Sequence, residues 1–177
     1  MEFTNMIVPE VIVGFNVYDG DGDLVVGVTD KMSLAKLSSK VATITGAGIT
    51  GSYNVPVVGH YDSITQVVPF RVAYKPMFEL ANPMKITTLN IRGAIQVTDK
   101  STGLSDYAGV RYMVKGRAVE TDPGELNMGE VMGSSVTIEA TTVIYEIDGK
   151  KLIELDKMNG IYRIDGIDYL EKVRKLC

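Results

Sequence analysis

Cysteine is almost absent from this 177-residue chain, and tryptophan is missing altogether. The single cysteine is the last residue, Cys177, which excludes an intrachain disulfide and leads us to expect a reducing compartment. Histidine is equally scarce: His60 stands alone, which excludes a metal site built on several imidazoles. A Ser-His-Asp or Cys-His site would have to use His60, yet no nucleophile-elbow motif surrounds it. We therefore expect a protein that is not an enzyme and that has no catalytic, metal or cofactor site.

Basic residues are also in deficit, with 18 Lys and Arg against 22 Asp and Glu and a net charge of −4. This balance provides no basic footprint for gripping nucleic acid. Apolar runs extend over only a handful of residues, far below the ~20 needed to span a bilayer, so we expect no membrane insertion. The N-terminal residues MEFTNMIVPEV lack the basic start and apolar core of a signal peptide. With 45% apolar residues, the chain is long enough for one domain with its own core, predicted over residues 1–177.

Alternation of apolar and polar residues with a period of two runs through most of the chain and predicts β-strands. LNIRGAIQVT (89–98) and VRYMVKGRAV (110–119) alternate in this way, and the polar TDKSTGLSD between them suits a hairpin loop. DSITQVVPFRVAY (62–74) is predicted as one long strand, in which Pro69 indicates an edge position or a bulge. The remaining predicted strands are SSVTIEATTVIYEI (134–147), a strand with LIEL (152–155) after the turn DGK, and a hairpin of VIVGFNVY (11–18) and LVVGV (24–28) around DGDGD.

Helical signals are confined to two short segments. KPMFELAN (75–82) is bracketed by prolines and has room for about two turns. IDYLEKVRKL (167–176) places Ile167, Leu170 and Val173 at helical spacing, with basic residues near its end. The sequence contains no repeat of 20–50 residues and no low-complexity tract. We therefore predict a mainly β fold, an antiparallel β-barrel or sandwich with one or two short helices.

Two short motifs suggest ligands that their surroundings do not support. Gly46, Gly48 and Gly51 have the G-x-G-x-x-G spacing of a dinucleotide-binding loop, but a β-branched, proline-containing run follows where that loop needs a helix. We interpret them as glycines of a flexible loop. The acidic run DGDGDL (19–24) begins like an EF-hand, but Leu24 stands where glycine is required and no helices flank it. We expect a hairpin turn there instead of a calcium site.

The C-terminal segment YEIDGKKLIELDKMNGIYRIDGIDYLEKVRKL (145–176) closely resembles the end of the major tail tube proteins of contractile-tailed phages and related phage-tail-like bacteriocins. In that family a D-G-K turn and an L-x-E-x-D strand precede N/D-G-x-D-x-L-x-x-x-R at the last helix. GAGITGS (46–52) is similar to the family's G-A-G-x-x-G segment, and VKGRAVETDPGELNMGE (114–130) to its R-G-x-x-x-x-x-D-x-G-E loop. The matching residues are Asp148, Gly149, Lys150, Leu152, Glu154, Asp156, Asp165, Gly166, Asp168, Leu170, Arg174, Gly116, Asp122, Gly124 and Glu125.

The chain departs from the family pattern in two places: the N-terminal arm before Val11 is somewhat long, and one internal segment differs. The family's L-P-K-L is here Leu34-Ala35-Lys36-Leu37, without the proline. These differences concern local geometry, and the three matches occur in the family's order.

The resemblance implies a tail-tube fold that assembles as homohexameric rings, which stack into the hollow inner tube of a contractile tail. A contractile sheath would surround the tube and drive it through a bacterial envelope. Baseplate, tape measure and tail terminator proteins would be further partners, and DNA would pass through the lumen of a phage without specific binding. The expected location is the virion tail or a phage-tail-like particle, assembled in the bacterial cytoplasm.

Assembly of this kind needs surfaces that reach neighbouring copies, and we expect two glycine-containing loops, 43–57 and 120–132, to supply them. The candidate inter-subunit residues are Gly46, Gly48, Gly51, Asp122, Gly124 and Glu125. Basic residues on the polar side of the central hairpin are expected to pair with acidic groups of a neighbour; they are Arg92, Arg111, Lys115 and Arg117.

Two alternatives remain open at this stage. One is the inner tube protein of a related contractile injection or secretion system. The other is a monomeric β-barrel carrier of small molecules, which shares the period-two pattern but would not explain the ordered matches.

Overall fold

The computed structural model describes residues 6–177, and most of them belong to antiparallel strands. The strands are β1 (Ile7–Tyr18), β2 (Ser39–Ile44), β3 (Tyr53–Tyr61), β4 (Thr65–Phe70), β5 (Thr87–Asp99), β6 (Ser105–Asp122), β7 (Ser134–Ile147), β8 (Lys150–Asp156), β9 (Ile161–Ile164) and β10 (Ile167–Asp168). The helices are α1 (Lys75–Leu80) and α2 (Glu171–Leu176). The prediction of a mainly β, antiparallel fold with two short helices is therefore confirmed.

The main sheet has the order β1-β5-β6-β7-β8-β9-β10, and it splits at β7. One edge of β7 is shared: Ser134–Glu139 pairs with β4, and Thr142–Ile147 pairs with β8. A separate two-stranded sheet consists of β2 and β3. Because β7 pairs with β6, β4 and β8, it is the central strand of the domain.

Two predicted hairpins are confirmed. Strands β5 and β6 pair in register from Thr87↔Gly116 to Thr98↔Ser105. Strands β7 and β8 are joined by Asp148 and Gly149, whose φ angles of 46° and 77° are those that a tight two-residue hairpin requires.

The predicted hairpin at 11–28 is confined to its turn. LVVGV bridges β1 only at Tyr18↔Leu24 and β4 only at Val28↔Phe70, and β1 pairs along its length with β5 instead. The Asp19 carboxylate accepts hydrogen bonds from the backbone N–H groups of Asp21 and Asp23, so the acidic run closes a tight turn on itself. Beyond this turn the chain leaves the sheet, and apolar side chains of the segment 25–37 pack against the core.

Two other element boundaries differ from prediction. Strand β4 ends at Phe70, and Tyr74 is already the N-cap of α1. The strand lies at an edge, as Pro69 indicated, and the Pro69 carbonyl accepts a hydrogen bond from the Thr29 backbone N–H. Helix α2 begins only at Glu171, because Ile167 and Asp168 pair with β9 as β10.

The core lies where β4, α1 and the segment 25–37 pack against β5–β8. Alternate residues of β6 and β7 supply much of it, as the period-two pattern predicts, including Tyr112, Val114, Val136 and Ile138. One polar residue, Gln66, occupies a core-facing position of β4 and is fully buried. Its side-chain amide bonds to the Ala35 N–H and the Ser33 carbonyl and so fixes the segment 33–35 against the sheet.

Candidate assembly surfaces

The C-terminal motif joins β8, β9, β10 and α2 through the hydrogen bonds and ion pairs of Arg163 and Arg174. We call this set of contacts the C-terminal staple. Asp165 and Gly166 form the β9–β10 turn with positive φ angles of 49° and 83°. Arg163 donates to Glu154 at 2.9 Å, and Arg174 donates to Asp168 at 2.7 Å and to the Gly160 carbonyl at 2.6 Å. These contacts tie the last helix to the strands before it.

The staple lowers the pKa of its carboxyl groups. The hydrogen bond from Arg174 holds the pKa of Asp168 below its ordinary value, and Arg163 adds to the effect. Partial burial acts to raise the pKa of Glu154, but hydrogen bonds from Arg163 and Lys151 outweigh it and leave this pKa lowered. Both carboxyl groups therefore favour the charged form that the staple needs.

The same region anchors the β2–β3 hairpin. Leu170 packs over Gly59 of β3, and the rings of Tyr61 and Tyr162 lie 5.5 Å apart between centroids. Lys157 Nζ donates to the Asp62 carbonyl at 2.8 Å. The C-terminal motif thus fixes the base of a hairpin that pairs with no strand of the main sheet among the described residues.

The predicted loop glycines lie at the tip of this hairpin. Gly48 and Gly51 have φ angles of 85° and 100°, and a β-carbon added at Gly46, Gly48 or Gly51 would meet no atom within 4 Å. Strand β3 follows where a dinucleotide site would need a helix, which agrees with our interpretation of these residues as loop glycines. The tip extends away from the rest of the chain.

The other predicted loop residues lie at the base of the β6–β7 connection. The Asp122 carboxylate accepts the Gly124 N–H, and the Glu125 N–H donates to the Met132 carbonyl at 2.9 Å. Gly124 has a φ of 77°, and a β-carbon there would collide with the Met132 carbonyl. Asp122 and Gly124 therefore have a role within the chain, whereas the Glu125 side chain is exposed.

The two groups of predicted residues lie on different connections, β2–β3 and β6–β7. Between Glu125 and Met132, the β6–β7 connection exposes three apolar side chains. They are Leu126, Met128 and Val131. We call residues 125–131 the tip loop.

Strand β1 is an exposed edge that the sequence patterns did not indicate. It pairs with β5 on one side, and no described strand covers the other. Register shifts between Pro9 and Val11 and between Ile12 and Gly14 interrupt its alternation. The consecutive side chains of Val11, Ile12 and Val13 are each 56% exposed, because neither face of β1 is covered there. Pro9, a residue typical of edge strands, was the signal available in the sequence.

The predicted basic face exists, but its cations are partly satisfied within the chain. Arg92 and Arg111 lie directly opposite each other on β5 and β6. Arg111 forms an ion pair with Glu146 of its own chain, with 3.0 Å between Nη1 and Oε2. This corrects the expectation that Arg111 pairs with an acidic group of a neighbouring copy. Arg92 lies over the ring of Tyr18, 4.9 Å from its centroid.

A groove of about 700 Å³ opens between β1 and the segment 28–34, with β5 and β6 as its floor. Its apolar lining includes Ile12, Phe15, Val28, Met32, Ile91 and Tyr112. Asp30, Lys31 and Arg71 supply its charged groups. Burial raises the pKa of the Tyr112 hydroxyl to about 12. We call this feature the β1 groove.

The side chains that could bind a metal ion are scattered in the part of the chain that the structure describes. No group of three or more His, Cys, Asp or Glu side chains there could hold a metal ion. His60 is exposed on β3. Neither helix within residues 6–177 is long and apolar enough to cross a membrane.

Known proteins resemble this chain in sequence and in fold. The tail tube protein of Escherichia phage P2 is 30% identical over 152 residues, 84% of this chain and 86% of that protein. The major tail tube protein of Serratia phage KSP20 is 38% identical over 53 residues, about 30% of each chain. A sheath/tube terminator of an extracellular contractile injection system has a similar fold, with a TM-score of 0.55 at 13% identity over 78% of this chain and 97% of that one.

The sequence profile of the phage tail tube protein FII family matches residues 9–176, nearly the whole chain. This match agrees with the resemblance of the C-terminal and loop motifs. The chain therefore belongs to the phage tail tube protein FII family, whose members are structural tail components and not enzymes.

Proposed function

We propose that this chain forms homohexameric rings that stack into the hollow inner tube of a contractile tail. A contractile sheath surrounds the tube and drives it through the bacterial envelope. Baseplate, tape measure and tail terminator proteins complete its partners, and DNA crosses the lumen without specific binding if the particle is a phage. The protein is then a component of the virion tail, assembled in the bacterial cytoplasm.

The observation that carries the proposal is the unpaired edge of β1. Except at its end, where Val17 and Tyr18 meet residues 24 and 25, β1 has a free edge whose backbone N–H and C=O groups a neighbouring strand can pair with. Val11, Ile12 and Val13 add exposed apolar surface to the same strand. A contact between this edge and a different surface of the next copy is heterologous, and such contacts close into rings when the rotation permits.

Ring stacking requires further surfaces in addition to the β1 edge. The β2–β3 tip with Gly46, Gly48 and Gly51 and the β6–β7 connection with Asp122, Gly124 and Glu125 are the proposed ones. Residues 46–52 and 125–131 are exposed, and a β-carbon added at Gly48 or Gly51 would meet no atom of the chain within 4 Å.

The fold likeness to a terminator of a contractile injection system supports a second candidate of the same kind. In it, the chain forms the inner tube of an injection or secretion particle that carries no DNA. The more distant candidate, a monomeric small-molecule carrier, would use the β1 groove as its pocket.

Negative-stain electron microscopy of the purified, concentrated protein tests the proposal. We expect six-fold rings with an axial hole, or hollow tubes. Ile12→Lys places a charge on the β1 edge and should abolish them, whereas Val119→Lys, at a similarly exposed valine of β6, should not. A protein that stays monomeric at high concentration, even with a tail nucleator present, would contradict ring assembly and favour the carrier.

A further inference from the structure

The β1 groove is an apolar cleft that the described chain leaves open. Ile12 and Val13 at its rim are each 56% exposed, and Leu34 on the opposite wall is 41% exposed. Its walls are stable, because Gln66 holds the segment 33–35 from behind and β1 pairs along its length with β5. A preformed apolar cleft of this size can accept several side chains of another segment.

The tip loop is the most exposed apolar segment of the β6–β7 connection. Leu126 is 87% exposed, and Met128 makes no contact that covers it. The loop does not collapse onto its own domain, because its base is closed by the Glu125 N–H bond to Met132 and by the Met132 N–H bond to the Arg71 carbonyl. Apolar side chains held away from their own core are typical of docking anchors.

The charges of the two features are complementary. Residues 122–131 contain three carboxylates, Asp122, Glu125 and Glu130, and no Lys or Arg. The β1 groove has Lys31 and Arg71 against the single carboxylate of Asp30. Within residues 6–177 no ion pair joins Lys31 or Arg71 to a carboxylate. An acidic loop with apolar anchors therefore matches an apolar groove with a basic excess.

We infer that the tip loop of one copy docks into the β1 groove of another copy, with Leu126 and Met128 as anchors. The inference rests on the proposed function, and it names the receiving surface that the tube would use for this loop. Because the loop and the groove are different surfaces of one chain, the contact is heterologous. Each copy can therefore donate its loop to one neighbour and accept the loop of another.

Site-specific cross-linking tests the docking. In a Cys177→Ser background, which removes the only cysteine, one preparation carries Met128→Cys and a second carries Leu34→Cys. The two are mixed, assembled and oxidised, and the products are separated without reductant. We expect a disulfide-linked heterodimer that appears only in the mixture. Met158→Cys, at a largely exposed methionine of the β8–β9 turn, replaces Met128→Cys as the control and should give none.

A charge exchange provides a second readout. Lys31→Glu with Arg71→Glu should raise the critical concentration for assembly at least about tenfold, because like charges then face each other. Adding Glu125→Lys and Glu130→Lys should restore most of the loss, whereas those two substitutions in an otherwise unchanged chain should weaken assembly.

The outcomes separate the docking from the proposed function. Rings or tubes that form without the Met128–Leu34 heterodimer, or without charge rescue, would overturn the docking and leave the proposed function standing. Failure of both the unchanged chain and the Cys177→Ser protein to form rings or tubes, even with a tail nucleator present, would overturn the proposed function, and the docking with it.

Discussion

Leu170 lies directly over Gly59: a β-carbon added at Gly59 would come within 2.5 Å of Leu170 Cδ1. This contact joins the C-terminal motif to the β2–β3 hairpin, which has no strand pairing with the main sheet among the described residues. The leucine and the glycine are more than a hundred positions apart in the chain, and each depends on the size of the other.

Gly59→Ala should destabilise the domain for two reasons. The added methyl group collides with Leu170, and the φ of 74° is strained for any residue with a β-carbon. We expect a loss of about 1–3 kcal/mol in the free energy of unfolding, measured by urea titration with circular dichroism. Gly46→Ala, in open space and without a positive φ, is the control and should change stability by less than about 0.5 kcal/mol. Equal losses in both variants would contradict the packing argument.

Acid should loosen the C-terminal staple before it unfolds the core. The pKa of Asp168 is lowered in the fold, so its stabilising contribution is present above the unfolded value of 3.8 and is lost as pH falls through the folded value. The protection factors for hydrogen exchange of residues 161–176, corrected for the intrinsic exchange rate at each pH, should therefore fall below about pH 4.

Asp168→Asn should remove much of this pH dependence and leave the region loosened at neutral pH as well. Asp165→Asn is a matched control, because asparagine tolerates the positive φ of the turn and the Lys150–Asp165 pair is exposed on both sides. An unchanged exchange profile in Asp168→Asn would argue against the Arg174 contact as the cause.

Gln66→Leu should detach the segment that forms one wall of the β1 groove. Leucine fills similar space but leaves the Ala35 N–H and the Ser33 carbonyl without their partner. We expect a loss of about 1–3 kcal/mol. Trypsin should cleave faster after Lys36 in this variant than in Gln96→Leu, whose side chain bonds to exposed Glu10. Resistance of Lys36 to trypsin in both variants would contradict the role of Gln66.

Gly48→Val should block polymerisation while the monomer remains folded. The tip projects into open space, so the bulk of valine meets only a neighbouring copy, although its φ of 85° also strains the turn. Gly22→Val separates these effects, because Gly22 has a similar φ of 93° and open surroundings in another turn. Tubes from both variants in electron micrographs would exclude the β2–β3 tip as a contact, and loss in both would assign the effect to strain.

The alternating pattern predicted β5, β6 and β7 well, because each of these strands has one face on the core and one towards solvent. It failed for LVVGV at 24–28, because an apolar run looks the same in the sequence whether it forms a strand or packs on the core beside a strand. Gln66 was equally invisible: only the fold brings Ser33 and Ala35 to its side chain.

The candidate surfaces also differ in how far local sequence patterns could identify them. Gly46, Gly48 and Gly51 were identified from local spacing, and Asp122, Gly124 and Glu125 from a resemblance, but the closure of the β6–β7 loop depends on Met132 and Arg71. The exposure of Val11, Ile12 and Val13 depends on which elements lie beside β1 in the fold, and three consecutive apolar residues are otherwise typical of a buried strand.

The free edge of β1 also has a cost before any tube exists. Every newly made copy carries an apolar strand edge of the kind that recruits other chains into disordered aggregates. Pro9 and the two bulges limit this hazard but cannot remove it without also removing the surface proposed for ring growth. The pool of unassembled copies should therefore have a short useful lifetime, and expression of this chain in excess of its nucleator should end in inclusion bodies.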